Sequence, residues 1–258
     1  MIISSTKQLN QYREAAKLSM EILWQLHQKV AEGVTPLEID ELADQLCHQH
    51  NVKPNFKGVG HKNNPYRHAT CIAVNDTVVH GIPQAISLMA GDLVKVDFGL
   101  EYQGLNTDHC FTVGVGKLAA NDQKLLITGR QAVLTAAQSA ITGKHTGDLG
   151  HLMESIAGKQ GFSVTEQYVG HGIGRTLHEE PQIPAWGEAG KGSVLQKGMV
   201  LCVEAQVLAG DNEVYVTNDG WSVRTADGGN AVMFEFMVIV DKPQPEFLTP
   251  TMNWPLLV

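Results

Sequence analysis

Five residues restrict what this chain can fold into more than any others: Asp97, Asp108, His171, Glu204 and Glu235. Each lies in a short apolar or glycine-rich stretch, such as LVKVDFGL, LCVEAQV or MFEFMV, of the kind that makes a strand or a tight turn. Four carboxylates converging in one place cannot stay ionised unless cations neutralise them. Two divalent ions would do so. An oxygen-rich donor set with a single imidazole suits Mn, Fe, Co or Zn rather than a thiolate-type zinc site. A carboxylate-bridged pair of such ions is one way to make hydroxide from water near neutral pH.

The rest of the sequence is compatible with an ordinary soluble protein. Its 258 residues are 43% hydrophobic and 18% charged, enough for a sizeable core within one large domain, 1–258. The apolar run Phe236 to Val240 is far short of the ~20 residues a membrane span needs. The opening MIISSTKQLNQYREAAK has no apolar stretch of the kind found in secretion signals, so a cytoplasmic location is expected. Cys47, Cys71, Cys110 and Cys202 form no CxxC pair, which points to reduced thiols. A net charge of -8 without a basic run makes nucleic acid and anionic membranes poor partners.

Apolar residues from Leu9 to Val30 recur at helical spacing and predict a long amphipathic helix over 6–30, ending near Gly33. Thr35-Pro36-Leu37-Glu38 reads as a capping box with proline at the first helical position, opening a helix to about Gln49. Strands are expected at CIAVN, TVVHG, LVKVDFGL and HCFTVGVG, with a turn at Gln103-Gly104. Helices over 121–142 and 147–159 follow, then strands over 198–209, 213–217 and 230–240. The order helices, strands, helices, strands has a trace in the residues, because GDLVKVD at 91–97 matches GMVLCVE at 198–204 in glycine, valine and acid. Two similar halves would then deliver carboxylates to one central cleft.

Alternation over Val94–Gly99 puts Lys95 and Asp97 opposite Val94, Val96 and Phe98. Asp108, eleven residues on across a glycine turn, can aim at the same point from an adjacent strand, although a pair of solvated acids on a hairpin would read alike. Gly170-His171-Gly172-Ile173-Gly174 lets backbone and ligand approach closely. His178 would sit on the same loop, off the i, i+4 spacing of a helical zinc pair. A further histidine stands in Val79-His80-Gly81-Ile82-Pro83.

These stretches, NDTVVHGIP, GDLVKVDFGL, GHGIGRTLHEEPQIP and the acids in LCVEAQ and MFEF, closely resemble the type I methionine aminopeptidases of the pita-bread metallopeptidase superfamily. The resemblance runs from the first helix to about Val240. It implies an α+β fold of two pseudo-symmetric halves, a central curved antiparallel sheet covered by helices. It implies a metalloaminopeptidase that removes the initiator methionine from peptides and nascent chains, using two divalent ions (Co, Mn, Fe or Zn). Their ligands would be Asp97, Asp108, His171, Glu204 and Glu235, with Asp108 and Glu235 bridging. By the same matching His178 would hydrogen-bond the scissile carbonyl oxygen, His80 would position the amide, and Glu204 would shuttle the proton. Tyr66, Cys71 and Trp221 would line a methionine-sized pocket, and a monomer is expected.

The sequence departs from the type I pattern at Ala205-Gln206, where proline and methionine are usual, and at Phe236, where histidine is usual. Thr107 and His109, around Asp108, also differ. A divergent paralogue with a shifted rate or preference would look like this. Two alternatives remain at this level: an exopeptidase with another N-terminal or Xaa-Pro preference, and an inactive metal- or peptide-binding paralogue. The intact set of five ligands counts against the second. Cys110 and Cys202, two residues from ligands, read as small fillers on the ligand-facing sides of their strands.

Overall fold

The computed structural model of the chain describes residues 1–249 and 253–258. It opens with helices α1 (Thr6–Lys29) and α2 (Pro36–Gln49), close to the lengths their apolar spacing predicts. Ser5 caps α1 by accepting from the Gln8 N–H at 3.2 Å. At α2 the capping box is closed: Thr35 Oγ1 accepts from Glu38 N–H at 3.2 Å, and the Glu38 carboxylate accepts from Thr35 N–H at 2.8 Å.

Three two-residue strands follow, β1 (Lys53–Pro54), β2 (Gly60–His61) and β3 (Asn64–Pro65), then β4 (Thr70–Val74), β5 (Thr77–Val79) and β6 (Leu93–Phe98). Next come β7 (Leu100–Tyr102), β8 (Leu105–Asn106) and β9 (His109–Gly114), with Gln103 and Gly104 turning the β7–β8 hairpin at φ 53° and 77°. Helices α3 (Ala120–Gln138) and α4 (Thr146–Lys159) lead to β10 (Ser163–Val164), β11 (Gly170–Gly172) and β12 (Glu179–Ile183). The remaining strands are β13 (Val200–Leu208), β14 (Val214–Val216), β15 (Val223–Thr225), β16 (Ala231–Ile239) and β17 (Glu246–Phe247).

One nine-stranded sheet organises the molecule, in the order β12-β11-β13-β16-β9-β6-β4, with β10 and β17 added on β13 and β16. All its pairings are antiparallel. The order is nearly palindromic about the β9–β16 contact, and the glycines of the sequence repeat, Gly91 and Gly198, enter β6 and β13 with φ 101° and 84°. Each half carries its own helix pair. Ile22, Leu23 and Ile39 of α1 and α2 pack on Val94, Val96 and Phe111. Leu125, Val133 and Met153 of α3 and α4 pack on Val203, Val207 and Phe234. Each such fully buried aliphatic or aromatic side chain stabilises the fold by about 1.5–3 kcal/mol.

The structure adds one point to the sequence reading and corrects two. Residues Leu93–Phe98 are buried throughout, because the sheet is covered on its second face as well. There the small sheet β14-β15-β5 supplies Val78, Val79 and Val223, which pack on Cys110, Leu208 and Met233. The link from Asp97 to Asp108 is not a simple turn, since β7 and β8 leave the main sheet as a hairpin in which β7 pairs with β1 on one side and β8 on the other. Finally, His171 lies on a strand, and His178 ends the connection to the next one, so the expected single loop is a β11–β12 hairpin. Among the described residues, no helix is long and apolar enough to cross a membrane.

Candidate metal centre

The site is written across the sheet in one row. Cys71 on β4 pairs with Asp97 on β6, Asp97 with Cys110 on β9, Cys110 with Glu235 on β16, and Glu235 with Glu204 on β13. Directly paired residues point to the same face, so the register alone turns three carboxylates to one side. Asp108 joins from just before β9, two residues from Cys110. His171 joins from β11, opposite Cys202.

The geometry around His171 is that of a ring of acceptors. Its Nδ1 lies 2.9 Å from the Gly172 carbonyl, which can only accept, so Nδ1 carries the proton and Nε2 presents a lone pair. Facing that lone pair are Glu204 Oε1 at 3.7 Å, Asp108 Oδ2 at 3.9 Å and Glu235 Oε1 at 3.9 Å, all beyond hydrogen-bond length. Among the described residues, Asp97 Oδ1, Asp108 Oδ1 and Glu235 Oε1 are buried without a partner. Donor atoms of Asp97, Asp108 and Glu235 lie within 4.8 Å of one another, as do those of Asp108, His171 and His178, and of His171, Cys202 and Glu235.

Burial and mutual repulsion leave this cluster poorly ionised on its own. Burial pushes Asp108 up to about 7, and burial with the charge of Asp108 pushes Glu204 up to about 8. Asp97 and Glu235 stand well above the ordinary carboxylate range for the same two reasons, burial first and then their acidic neighbours. His171 is held down at about 4 by burial and then by His178, which keeps it a neutral ligand. Orphaned oxygens, acids that repel one another and a free imidazole lone pair together fit divalent cations bound among them.

All ten residues that the sequence assigns to the metals, the catalysis and the pocket border one cavity of about 630 Å³, counting its mouth. His178 sits exposed at the mouth, its ring edge-on to His171 with centroids 4.4 Å apart. His80 holds a left-handed backbone, φ 55°, which is rare outside glycine and is strain of the kind stored at working sites. Burial, then His178, lowers it to about 4. Beyond the acids the wall turns apolar. Tyr66, 5.0 Å from Trp221 in an edge contact, has its hydroxyl 2.9 Å from the carbonyls of both Thr70 and Gly81. Trp221 Nε1 donates to the Asn64 carbonyl at 3.1 Å. Phe56 and Cys71 complete this cluster, with Leu177 against it.

Phe56, Val59, Leu177 and Met233 also line the cavity and were not singled out in the sequence. Met233 stands two residues before Glu235 on a strand, so alternation alone could have found it. Of the departures from the type I pattern, only Gln206 faces the site, donating to Glu204 Oε2 at 2.8 Å. Ala205 and Phe236 point the other way, into the core under α3 and α4. Thr107 closes the base of the β7–β8 hairpin, its Oγ1 accepting from Leu100 N–H at 3.1 Å. His109 Nδ1 bonds Thr249 Oγ1 at 2.7 Å, away from the donors. Burial raises the thiols of Cys110 and Cys202 well above their usual range, so both stay neutral.

The sequence model of metallopeptidase family M24 matches residues 10–242. The chain belongs to metallopeptidase family M24. Among M24 relatives, methionine aminopeptidase 1 of Bacillus subtilis is 34% identical over 250 residues, covering 96% of this chain and 99% of the relative. The methionine aminopeptidase of Clostridium perfringens is 34% identical over 249 residues, covering 96% and 98%. The crystal structure of the methionine aminopeptidase of Thermotoga maritima superposes with a TM-score of 0.91 at 36% identity, covering 96% of this chain and 99% of that one. The Xaa-Pro dipeptidase of Bacillus anthracis, at 18% identity and a TM-score of 0.77, shares the fold; this chain spans 64% of its length. The M24 fold is thus the pita-bread arrangement expected from the sequence, and the protein is a metal-dependent peptidase.

Proposed function

We propose that this M24 metallopeptidase removes the N-terminal methionine from peptides and nascent proteins, as a monomeric cytoplasmic enzyme with one catalytic domain, residues 1–258. The reading rests on one observation above all: a single cavity joins a ring of acids and imidazoles to an apolar wall of Phe56, Tyr66, Cys71, Leu177 and Trp221. A substrate's free amino end suits the first. A flexible thioether suits the second, because sulfur packs favourably on aromatic rings.

Asp97, Asp108, His171, Glu204 and Glu235 would hold two divalent ions of the Co, Mn, Fe or Zn class. Support for two ions comes from Asp108 and Glu235, whose donor atoms belong both to the all-carboxylate group with Asp97 and to groups around His171. Such ions would supply Lewis-acid polarisation of the scissile carbonyl and activation of water near neutral pH. The Glu204 carboxylate, at the edge of the cavity, takes the proton that water gives up and passes it to the departing amine. His178, at the mouth, donates a hydrogen bond to the carbonyl oxygen as it gains negative charge. His80, held by its backbone and packed edge-on to Tyr168 at 5.3 Å, orients the amide.

The decisive experiment strips the protein of metal, reloads it with Mn, Co or Fe, and measures free methionine released from Met-Ala and Met-Gly peptides. Release is expected with at least one ion. Stoichiometric binding of two ions without release from any methionyl peptide would sink the methionine reading, and release of another N-terminal residue in a parallel series would replace it. Failure to bind any divalent ion would favour a binding paralogue.

A further inference from the structure

Gln206 is a polar side chain beside the cluster with no part in the proposed chemistry. It is fully buried, two residues past Glu204 on the same face of β13. Its Nε2 donates to Glu204 Oε2 at 2.8 Å, while its own Oε1 has no partner among the described residues. The orientation of the amide is dictated by chemistry, since the flipped form would press a carbonyl oxygen against a carboxylate. Its backbone cannot follow a moving neighbour. Gln206 pairs with Met233 on β16, and its carbonyl accepts from Thr165 N–H at 3.2 Å.

The two oxygens of Glu204 are therefore unequal. Oε2 is bound to a donor anchored in the middle of the sheet, and Oε1 faces His171 Nε2 at 3.7 Å. We propose that Gln206 is a positioning residue that confines Glu204 to a single ligating oxygen, Oε1. Glu204 then cannot chelate with both oxygens, and a coordination position stays open for water or for the substrate. A buried amide with an unsatisfied acceptor is what such a role requires, because only its donor end is used. The inference rests on the reading of Glu204 as a metal ligand.

The test compares wild type with Gln206→Met, which keeps the side-chain length and removes the donor, and with Gln206→Leu. Each metal-free protein is titrated with Co²⁺ alone, followed by visible absorption and by calorimetric stoichiometry. kcat and KM for a methionyl peptide, and thermal melting to verify the fold, complete the set. The expected result is unchanged stoichiometry and a weaker visible band in both variants, as an extra carboxylate oxygen raises the coordination number. kcat is expected to fall about 10–100-fold with KM little changed. An unchanged Co²⁺ spectrum and kcat in either variant that melts like wild type would overturn the proposal and leave the metal centre standing. Wild type that takes up no Co²⁺ would overturn both together.

Discussion

The half of the sheet built on β6 and β9 and the half built on β13 and β16 repeat one another in strand order, in entering glycines and in the helix pair that covers them. They do not repeat in chemistry. Asp97 pairs across to Cys110, whereas Glu204, its counterpart, pairs across to Glu235. The first half thus sets a neutral thiol where the second sets a carboxylate, and it brings in its second acid, Asp108, from outside the strand. Only the second half adds an imidazole among the buried donors, His171. Symmetry explains why acids meet at the centre of the sheet. The departures from symmetry make one side of the cluster all-carboxylate and the other mixed, so its two sides offer chemically unlike donor sets.

The largest effect should come from breaking the residue that reaches both sides. Asp108→Asn is expected to lower methionine release about 10³-fold or more, the scale of losing a dominant electrostatic element. It should also leave fewer Co²⁺ ions per chain by calorimetry. Retained metal content and rate would mean that the halves do not share this ligand. His178→Ala, which touches no cation in the proposed centre, should instead spare metal content and lower kcat about 100-fold with a small change in KM.

Metal-free protein should reveal the repulsion between the halves as a pH effect on stability. Asp108 at about 7, Glu204 at about 8, and Asp97 and Glu235 well above their normal values all bind protons more tightly folded than unfolded. Their contribution is full below the unfolded carboxylate range and is lost as pH rises through the folded values. Buried Lys95, lowered to about 7 by desolvation, opposes this above pH 7 but is outnumbered. Between pH 7 and 8 the protein treated with a chelator should lose about 1–3 kcal/mol, at about 1.4 kcal/mol per pH unit for each carboxyl still protonated in the fold. Melting temperatures with and without Mn²⁺ test it, and a metal-free protein whose stability rises over that interval would contradict it.

The smallest effect separates the helix pairs. Thr35→Ala removes one arm of the α2 capping box and should cost about 1 kcal/mol in urea unfolding. At the start of α3, Ala119 has an extended backbone and no side-chain cap, so Ala119→Ser should stabilise by roughly 0.5–1 kcal/mol. Equal and opposite shifts would show that the helix pairs differ in capping alone.

Much of this was legible in the residues. α2 could be read to its last residue because its start is encoded locally, in Thr35, Pro36 and Glu38. The ligand-bearing strands could be read because an acid in an otherwise apolar run is a strong anomaly. What escaped was whatever depends on a partner distant in sequence. Two-residue strands such as β1 and β2 exist only through pairing with β7 and β3, and no local pattern marks them. Ala205, Gln206 and Phe236 all stood out as unusual neighbours of ligands. Only alternation along placed strands tells that two of them serve the helix-side core and one serves Glu204.

The row from Cys71 through Asp97, Cys110 and Glu235 to Glu204 has a consequence for how such a protein can vary. Neighbouring strands lie about 4.8 Å apart, so this row measures out roughly 19 Å across the sheet with one residue taken from each strand. A substitution elsewhere in a strand leaves that count intact. A single insertion or deletion inside β6, β9, β13 or β16 would turn its member of the row to the opposite face and bury it under a helix. Substitution therefore leaves the row in register, whereas a change of length within these four strands breaks it, and length variation is expected only in the connections between them.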